Sequence, residues 1–560
     1  MTYIKNHDDG GGRVEASWRN CEIMMRMAGD PEARVDTATL ISSLQNPRCY
    51  DHAVPEVSVI ETHISWVLLT GNYAYKIKKP VNLGFLDFST LEKRHFYCQQ
   101  ELRLNRRLAP RLYLDVVAIT GSAERPCIRG PGPAIEYAVK MLQFPQQAQL
   151  DRVLARGELS PQHIDALAHT VAAFHAGVAV AAADDEYGDP QHVQAIVLEN
   201  FDRVLSGLRD EEAVERLGGL QRWAQQEYER CRRILATRKQ QGYVRECHGD
   251  MHLRNMALLD GEILIFDCIE FSETLRWIDV ISEIAFVIMD LDDRRCPQLG
   301  RRFLNAYLEH TGDYGSLEVL RYYLMYRAMV RAMVDRIRVQ QSGIDDAEKR
   351  HVLDEYRSYL TLAEQYTQTN HPALIITHGL SGSGKTTVAQ AVLEHYPAIR
   401  IRSDVERKRL FGLTAAARTR SGIDQGLYTA QATERTYDRL HELARLILKA
   451  GYSVIVDATF LKQAPRRAFQ DLAEELDVPF LILDCEAPDQ ILRERVARRA
   501  QTDASEADRV VLEHQLASRE PLNELEQTLA LVVDTTQAPM GRDIAGTLHA
   551  RLNKTLRTVG

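Results

Sequence analysis

The segment from Ala373 to Thr387 constrains the fold of this chain most strongly. It begins with the apolar, largely β-branched run ALIIT, continues with the loop HGLSGSG and then enters the helical pattern KTTVAQAVLEH. The loop has the spacing G-x-x-x-x-G-K-[ST], in which glycines let backbone N–H groups approach phosphate oxygens and the helix N-terminus adds positive potential. We therefore expect a phosphate site on nine consecutive residues: Gly379, Leu380, Ser381, Gly382, Ser383, Gly384, Lys385, Thr386 and Thr387.

The residues after this loop alternate between short apolar runs and amphipathic helical segments. Such alternation is typical of a parallel sheet covered by helices, since each parallel crossover needs a helix. The fold class predicted for this part is therefore α/β with a parallel sheet. The further strands are expected at Arg400–Arg402, Ser453–Val456, Phe480–Leu483 and Ala530–Asp534.

Three residues of this part are suited to bind nucleotide phosphates and a metal ion. Lys385 is expected to reach the β- and γ-phosphates, and the Thr386 hydroxyl to ligate Mg²⁺. Asp457 ends the apolar strand SVIVD, where its carboxylate can reach the metal or its water shell. The alternative for Asp457 is a strand-end carboxylate that caps the following turn.

Three charged residues are candidates for acceptor and phosphate contacts. Asp404 follows the second strand at the sheet edge where doubly wound folds bind ligands, so it could accept a proton from an acceptor hydroxyl. Its alternative role is that of a helix N-cap. Arg495 and Arg499 lie four residues apart on the helix LRERVARRA and could close over the phosphates. A solvated basic face is the alternative.

This half of the chain resembles the small P-loop kinases, a group that includes gluconate and shikimate kinases, zeta-toxin-like kinases and 5′-polynucleotide kinases. The resemblance covers about residues 372–540 and is carried by GLSGSGKTT, by RSD at 402–404, by VIVDAT at 454–459 and by the arginine-rich helix. Asp457 is followed by Ala458 and Thr459 and not by a glutamate, unlike in motor ATPases. The resemblance therefore implies phosphoryl transfer to a substrate rather than ATP-driven motion.

A second set of polar residues lies well upstream of the loop. Asp250 and Asn255 are five residues apart in HGDMHLRN, and Asp267 follows after a predicted hairpin with an Asp-Gly turn. Kinase-like catalytic loops use one aspartate to orient the acceptor hydroxyl, an asparagine to hold a metal, and a second aspartate to hold Mg²⁺ at the phosphates. We expect these roles for Asp250, Asn255 and Asp267, with His248 as a scaffolding residue.

The upstream part resembles the aminoglycoside phosphotransferase and choline kinase branch of the kinase fold, over about residues 38–365. The resemblance implies an α+β bilobal fold in which Lys76 is the strand lysine and Glu101 its ion-pair partner. Lys78 competes with Lys76, and Glu92 is a weaker competitor of Glu101. Met141 would lie in the hinge that faces adenine. No G-x-G-x-x-G loop precedes the lysines.

The length of 560 residues exceeds what one compact core usually holds. We predict three parts: a flexible N-terminal tail at 1–36, an aminoglycoside phosphotransferase-like kinase domain at 37–367 and a P-loop kinase or ATP-binding domain at 368–560. The net charge of −9 argues against a nucleic-acid partner. Nine scattered cysteines, no secretory signal and no long apolar stretch indicate a cytoplasmic protein without a membrane segment.

The two resemblances together predict a bifunctional phosphotransferase that uses ATP and Mg²⁺ and phosphorylates a hydroxyl of a small-molecule acceptor at each domain. A second interpretation is a single catalytic kinase domain regulated by a nucleotide-sensing P-loop domain. A third interpretation is a polynucleotide kinase or a protein kinase. The sequence identifies neither acceptor, and it does not indicate the oligomeric state.

Overall fold

The computed structural model describes residues 36–559 except 85, 209, 341–344, 416, 418–428, 500–508 and 538–540. Nearly all of the predicted N-terminal tail lies outside the described residues. The described chain forms two compact units, one containing the residues up to Gln149 with Leu264–Arg276 and the other containing Leu150–Ile263 with Trp277 onward. The predicted boundary near residue 370 stays a prediction, because the helices before it pack with the P-loop domain in the second unit.

The first unit is built on a six-stranded antiparallel sheet with strand order β1-β2-β3-β6-β4-β5. Its long helix α2 packs against β6 and β4 and begins where the Thr90 hydroxyl accepts a hydrogen bond from the Lys93 N–H. The runs Trp66–Leu69 and Tyr73–Lys78, joined by a turn at Thr70-Gly71-Asn72, predict an antiparallel hairpin, and the structure confirms it as β2 and β3. The elements are α1 (Thr37–Ser43), β1 (Ser58–Glu61), β2 (Ser65–Leu69), β3 (Tyr73–Lys78), α2 (Leu91–Asn105), β4 (Tyr113–Gly121), β5 (Pro126–Ile128) and β6 (Ala134–Leu142).

Helices dominate the next part of the chain. Strands β7 and β10 form a two-stranded antiparallel sheet, and β8 and β9 form the hairpin predicted before Asp267. The elements are α3 (Leu150–Ala155), α4 (Pro161–Gly177), α5 (Pro190–Leu205), α6 (Glu211–Gln240), β7 (Val244–Glu246), β8 (Met256–Leu259), β9 (Glu262–Ile265), α7 (Glu273–Arg276), β10 (Trp277–Asp279), α8 (Val280–Asp293), α9 (Pro297–Thr311), α10 (Leu317–Val339) and α11 (Asp346–Thr367).

The last part is a five-stranded parallel sheet with strand order β12-β13-β11-β14-β15, which confirms the predicted α/β fold. Strand β12 is an edge strand, so one side of its backbone needs partners from outside the sheet. The elements are β11 (Leu374–His378), α12 (Lys385–His395), β12 (Ala398–Arg402), α13 (Ser403–Leu410), α14 (Ala430–Lys449), β13 (Ser453–Asp457), α15 (Gln463–Glu475), β14 (Phe480–Glu486), α16 (Asp489–Arg499), α17 (Arg509–Ser518), α18 (Glu524–Leu529), β15 (Ala530–Asp534) and α19 (Gly541–Val559).

The core of this parallel sheet is apolar on the side that faces α12 and α19, where Ile375, Val388 and Leu548 are completely buried. This packing holds β11 and α12 together and so sets the position of the loop that joins them. Among the helices of the described residues, none is long and apolar enough to cross a membrane.

Candidate active sites

Two lysines of β3 contact one buried glutamate of α2. Lys76 and Lys78 are two residues apart, so their side chains leave the same face of the strand. The Lys76 Nζ lies 2.9 Å from Glu101 Oε1, and the Lys78 Nζ lies 2.7 Å from Glu101 Oε2. Glu92, the other candidate partner, is exposed in the first turn of α2. Both lysines therefore share Glu101, and they differ only in the second carboxylate that each one contacts.

The charges of this cluster support one another in a buried setting. Burial by itself raises the pKa of the Glu101 carboxyl, but the ammonium groups of Lys76 and Lys78 outweigh burial and lower that pKa to about 2. Burial also lowers the pKa of both lysines, and the facing carboxylates reverse this effect and raise it. All three groups are therefore charged at neutral pH, as buried ions are when each has a partner.

Glu270 completes this cluster and was not predicted. It is buried and forms an ion pair with Lys78, and burial raises the pKa of its carboxyl. A signal for it exists in the sequence, because two lysines on one strand face need two carboxylates if both are buried. Only one glutamate was assigned to them, and Glu270 lies three residues after the predicted metal ligand Asp267.

Asp267 is the second carboxylate of Lys76, at 2.5 Å between Nζ and Oδ1. Its backbone has φ 63°, and its N–H donates to the Tyr113 hydroxyl at 3.2 Å. The next residue, Cys268, donates its N–H to Asn105 Oδ1 at 2.9 Å. The Asp267 side chain is 46% exposed, so it can still bind a hard cation such as Mg²⁺, which prefers oxygen ligands. Lys76 is thus the lysine beside the predicted metal ligand.

Met141 lies in β6, next to β3, and is half-buried. The chain that follows it is tied to the β2–β3 turn. The Gln143 N–H donates to the Asn72 carbonyl at 3.0 Å, and Gln143 Oε1 accepts from the Gly71 N–H at 2.9 Å. These bonds hold the predicted hinge segment against the strand pair that carries the lysines.

Asp250 and Asn255 lie together in the loop after β7, within the second unit. Asn255 Nδ2 donates to the Asp250 carboxylate at 2.8 Å and to the Asp250 carbonyl at 3.0 Å. The amide oxygen of Asn255 is therefore the atom that could bind a metal. Burial raises the pKa of the Asp250 carboxyl, but His252, whose Nε2 is 3.3 Å away, and Arg331 outweigh burial and lower it. Asp250 is thus held as a carboxylate that can accept a hydrogen bond.

Glu283 of α8 binds the loop that carries Asp250, and the sequence did not predict this role. Glu283 Oε1 accepts from the His248 N–H at 2.7 Å and from the Gly249 N–H at 2.6 Å. Its other oxygen contacts His175 Nε2 at 2.9 Å, and His175 Nδ1 contacts the Tyr307 hydroxyl at 2.9 Å. His175, Cys247 and Glu283 lie close enough to suggest a metal cluster, but both ring nitrogens of the histidine and the glutamate carboxylate are already hydrogen-bonded.

The glycine-rich loop between β11 and α12 has the backbone shape that a phosphate cradle needs. Gly379, Gly382 and Gly384 have φ of 136°, 84° and 83°, which side-chain-bearing residues rarely adopt. Helix α12 begins at Lys385, so its first N–H groups point back toward the loop, where a phosphate would bind. The Lys385 Nζ donates to the Leu380 carbonyl at 2.8 Å. This hydrogen bond lies within the loop, and a phosphate oxygen could take the place of the carbonyl.

Asp457 is the last residue of β13 and lies 5% exposed. Its Oδ2 has no hydrogen-bond partner among the described residues, and the Nε of Arg402 lies 3.9 Å from it. A buried carboxylate oxygen without a partner is costly unless an ion or water occupies the position. Asp457 therefore fits the role of an Mg²⁺ ligand, and Thr386, in the first turn of α12, offers the second oxygen.

Asp404 lies in the first turn of α13, and Arg402 occupies the N-cap position. The N-cap alternative for Asp404 is therefore wrong. Asp404 pairs with Arg407 at 3.4 Å, and its side chain is 25% exposed. Its carboxylate is partly open to solvent at the carboxyl end of the sheet, as the acceptor role requires.

Arg495 is held by backbone and hydroxyl oxygens near the phosphate loop. Its guanidinium donates to the Gly382 carbonyl at 3.3 Å and to the Thr535 hydroxyl at 3.0 Å, and Thr535 in turn donates to the Ser383 carbonyl at 2.9 Å. The guanidinium of Arg495 is therefore bound to the loop and does not belong to a solvated basic face. The side chain of Arg499 lies outside the described residues.

Comparison with known proteins agrees with both parts of the chain. The sequence profile described as "Phosphotransferase enzyme family" matches residues 97–320, and the profile described as "AAA domain" matches residues 374–522. An uncharacterized protein of Mycobacterium tuberculosis is 30% identical over 463 residues, which cover 81% of this chain and 89% of the relative. This alignment is longer than either matched domain.

Two solved structures are each similar to a part of the chain. A choline/ethanolamine kinase family protein from Mesorhizobium loti is 11% identical and matches 59% of this chain and 99% of its own, with a TM-score of 0.34. A gluconokinase from Sinorhizobium meliloti is 21% identical and matches 34% of this chain and 99% of its own, with a TM-score of 0.25.

The first profile begins after Lys76 and Lys78 and covers Glu101, Asp250, Asn255 and Asp267. The second profile covers the phosphate loop with Asp404, Asp457 and Arg495, and the alignment with the mycobacterial relative overlaps both profiles. Each profile is that of a kinase-type phosphotransferase domain. The chain therefore belongs to the same family as the mycobacterial protein. It joins an aminoglycoside phosphotransferase-like domain to a P-loop kinase domain, and it is an ATP-dependent phosphotransferase.

Proposed function

We propose that the chain is bifunctional and that each of its two domains transfers the γ-phosphoryl group of ATP to a hydroxyl of a small-molecule acceptor. The observation that carries this proposal is that two sets of residues, with no member in common, each contain a phosphate-binding cation and a carboxylate suited to an acceptor hydroxyl. The upstream cation is Lys76 of the first unit, and the upstream carboxylate is Asp250 of the second unit. Lys385 and Asp404 supply them in the downstream set.

In the upstream set, the Lys76–Glu101 pair keeps the lysine charged and directed at the phosphates. Asp250 accepts the hydrogen bond of the acceptor hydroxyl and takes its proton as the hydroxyl oxygen bonds to the γ-phosphorus, while the bond from that phosphorus to the β–γ bridging oxygen breaks and ADP leaves. Asn255, through its amide oxygen, and Asp267, through its partly exposed carboxylate, are the candidate Mg²⁺ ligands. When bound, Mg²⁺ neutralises the charge that develops on the phosphate oxygens.

In the downstream set, the N–H groups of the loop and the first turn of α12 bind the phosphates, and Lys385 reaches the β/γ bridge. Thr386 and Asp457 would hold Mg²⁺ here. Asp404 takes the proton of the substrate hydroxyl. Arg495 stiffens the loop by donating a hydrogen bond to the Gly382 carbonyl. Catalysis in both sets consists mainly of positioning and charge neutralisation.

The experiment is a screen of metabolite pools for transfer of ³²P from [γ-³²P]ATP by the full-length chain and two variants. Asp250→Ala removes the upstream acceptor carboxylate, and Lys385→Ala removes the downstream phosphate cation. We expect two groups of labelled products, each reduced about 10²–10⁴-fold in one variant and retained in the other. If one substitution removed every product while the chain stayed folded, two independent activities would be excluded.

A second candidate function is a P-loop domain that senses nucleotide and regulates the upstream activity. Within the second unit, α9 packs directly against α12 and β12, which provides a physical contact for such regulation. In that case Lys385→Ala would change the rate of the Asp250-dependent transfer, and no product would depend on Lys385 alone.

A further inference from the structure

One face of α9 lies along the P-loop domain, and both belong to the second unit. Arg301, Asn305 and Glu309 are spaced four residues apart, so they share this face. Arg301 donates to the Leu393 carbonyl at 3.1 Å, near the C-terminus of α12, where a cation is favourable. Asn305 lies at the edge strand β12, where its Oδ1 accepts a hydrogen bond from the Arg400 N–H at 2.7 Å.

Glu309 is the charged member of this face, and it reaches the carboxyl end of β12. Its Oε1 accepts from Arg402 at 2.9 Å, and its Oε2 lies 3.2 Å from Arg400. Burial raises the pKa of the Glu309 carboxyl, but Arg402 and Arg400 outweigh burial and lower it. Arg400 also donates to the Thr386 carbonyl at 3.4 Å. Glu309, which precedes the P-loop domain in sequence, thus holds Arg400 and Arg402 next to the predicted metal ligands of that domain.

Arg402 lies between two carboxylates that can compete for it. Its guanidinium is hydrogen-bonded to Glu309, whereas its Nε is 3.9 Å from Asp457 Oδ2, too far for a hydrogen bond. That Oδ2 is buried and has no hydrogen-bond partner among the described residues. Without Glu309, the Arg402 guanidinium could move closer to the Asp457 carboxylate, which already lies 3.9 Å away, and a close arginine would oppose cation binding there.

We propose that Glu309 is a positioning residue of the P-loop domain: by holding Arg402, it keeps the carboxylate of Asp457 available to Mg²⁺. This inference rests on the proposed function, in which Asp457 is a metal ligand. It follows that the metal site of the P-loop domain depends on a side chain from α9, outside the 374–522 segment that carries the P-loop profile.

The test is a binding measurement on the full-length chain. Fluorescent ADP is titrated at increasing Mg²⁺ concentrations in an Asp267→Ala background, which removes the metal carboxylate of the upstream set. The signal that Lys385→Ala abolishes is assigned to the P-loop domain. We expect Glu309→Gln to raise the half-saturating Mg²⁺ concentration about tenfold or more, with nucleotide affinity in EDTA changed by less than about twofold.

A second substitution separates positioning from a general structural role. If Glu309 acts by holding Arg402, then the double variant Glu309→Gln/Arg402→Gln removes the competing cation and should return the Mg²⁺ requirement to within about threefold of the parent. A merely structural role of Glu309 predicts no such recovery. Failure of the second substitution to restore Mg²⁺ binding would overturn the proposal.

Arg302→Gln is the matched control on the same helix. Arg302 pairs with Glu394 of α12 at 2.5 Å, so its loss weakens the same contact without freeing Arg402. We expect its Mg²⁺ requirement to stay within about twofold of the parent, as for a partly exposed ion pair. Equal effects of Arg302→Gln and Glu309→Gln, or no effect of Glu309→Gln, would contradict the proposal.

Asp457→Asn distinguishes failure of this inference from failure of the proposed function. If Asp457→Asn leaves the Mg²⁺ dependence intact, the metal role of Asp457 is wrong, and the role of Glu309 is wrong with it. If Asp457→Asn abolishes the dependence but Glu309→Gln does not alter it, only the role of Glu309 is wrong.

Discussion

The phosphate loop and the lysine cluster of β3 have comparable tasks and are built in opposite ways. The loop consists of nine consecutive residues, and its main groups are backbone N–H groups held by glycines with positive φ. The lysine cluster joins β3 to residues 191 positions away in sequence, and its main groups are buried side-chain charges. The loop therefore depends on backbone shape, whereas the cluster depends on every charge having its partner.

The difference predicts opposite sensitivities to substitution. A buried charge that loses its partner is strongly destabilising, because its desolvation is no longer offset. The phosphate loop has no buried side-chain charge that could lose its partner. An added Cβ can instead prevent its backbone from adopting the positive φ angles that the loop needs. The following predictions test this contrast, beginning with the largest effect.

Lys78→Met should destabilise the first unit by about 3–5 kcal/mol, because it leaves Glu270 without its ammonium partner and Glu101 with only one. Hydrogen exchange of peptides covering β3, followed by mass spectrometry, measures the free energy of opening. The control is Lys93→Met, which breaks the exposed pair with Asp87 and should cost about 0–1 kcal/mol. Equal costs for the two lysines would show that burial does not set the energetics of the cluster.

Glu101→Gln should have a cost that depends on pH. The folded-state pKa of Glu101 is lowered to about 2 from 4.5, so the stabilisation by its charge is fully present above pH 4.5 and is lost as the pH falls toward 2. The cost of Glu101→Gln should thus shrink by about 3 kcal/mol over this range. Urea unfolding of the parent protein and of Glu101→Gln at several pH values measures the difference in their free energies of unfolding. A difference that does not depend on pH would contradict the lowered pKa of Glu101.

Gly379→Ala should weaken nucleotide binding by the P-loop domain about 100-fold, or about 2.7 kcal/mol. Its φ is 136°, and an added Cβ would lie 2.5 Å from the Cys485 carbonyl oxygen, so the loop must change shape. Gly261→Ala is the control, because Gly261 has φ 81° with open space around it. That change should cost about 1 kcal/mol of stability and leave nucleotide binding unaltered. Titration with fluorescent ADP measures both variants.

Much of the fold was predictable because its signals are local. The antiparallel hairpin at Gly71 and the alternation of strands and helices after residue 372 follow from patterns within short windows, and the structure confirms both. Strand ends were less predictable: β12 begins at Ala398, two residues before the predicted start. Its first residues are ordinary apolar residues, and only pairing with β13 makes them part of the sheet.

The candidate sites were predictable to different degrees for the same reason. The spacing of Asp250 and Asn255 predicts that they lie together, because five residues of one loop separate them. Glu283, which holds that loop through the His248 and Gly249 N–H groups, could not be identified from its own surroundings in α8. The residues next to a glutamate in an apolar helix do not indicate which groups its carboxylate will contact.

The sequence by itself determined the phosphate loop, the order of the two kinase-type domains and the residue types available for phosphoryl transfer. These are properties of contiguous segments, in which spacing along the chain limits spacing in space. Only the tertiary structure decided that Lys76 contacts Asp267 while Lys78 contacts Glu270, and that Glu309 holds Arg402. Those contacts join residues 93 to 192 positions apart, and the pairing of buried charges over such separations depends on the packing of whole elements.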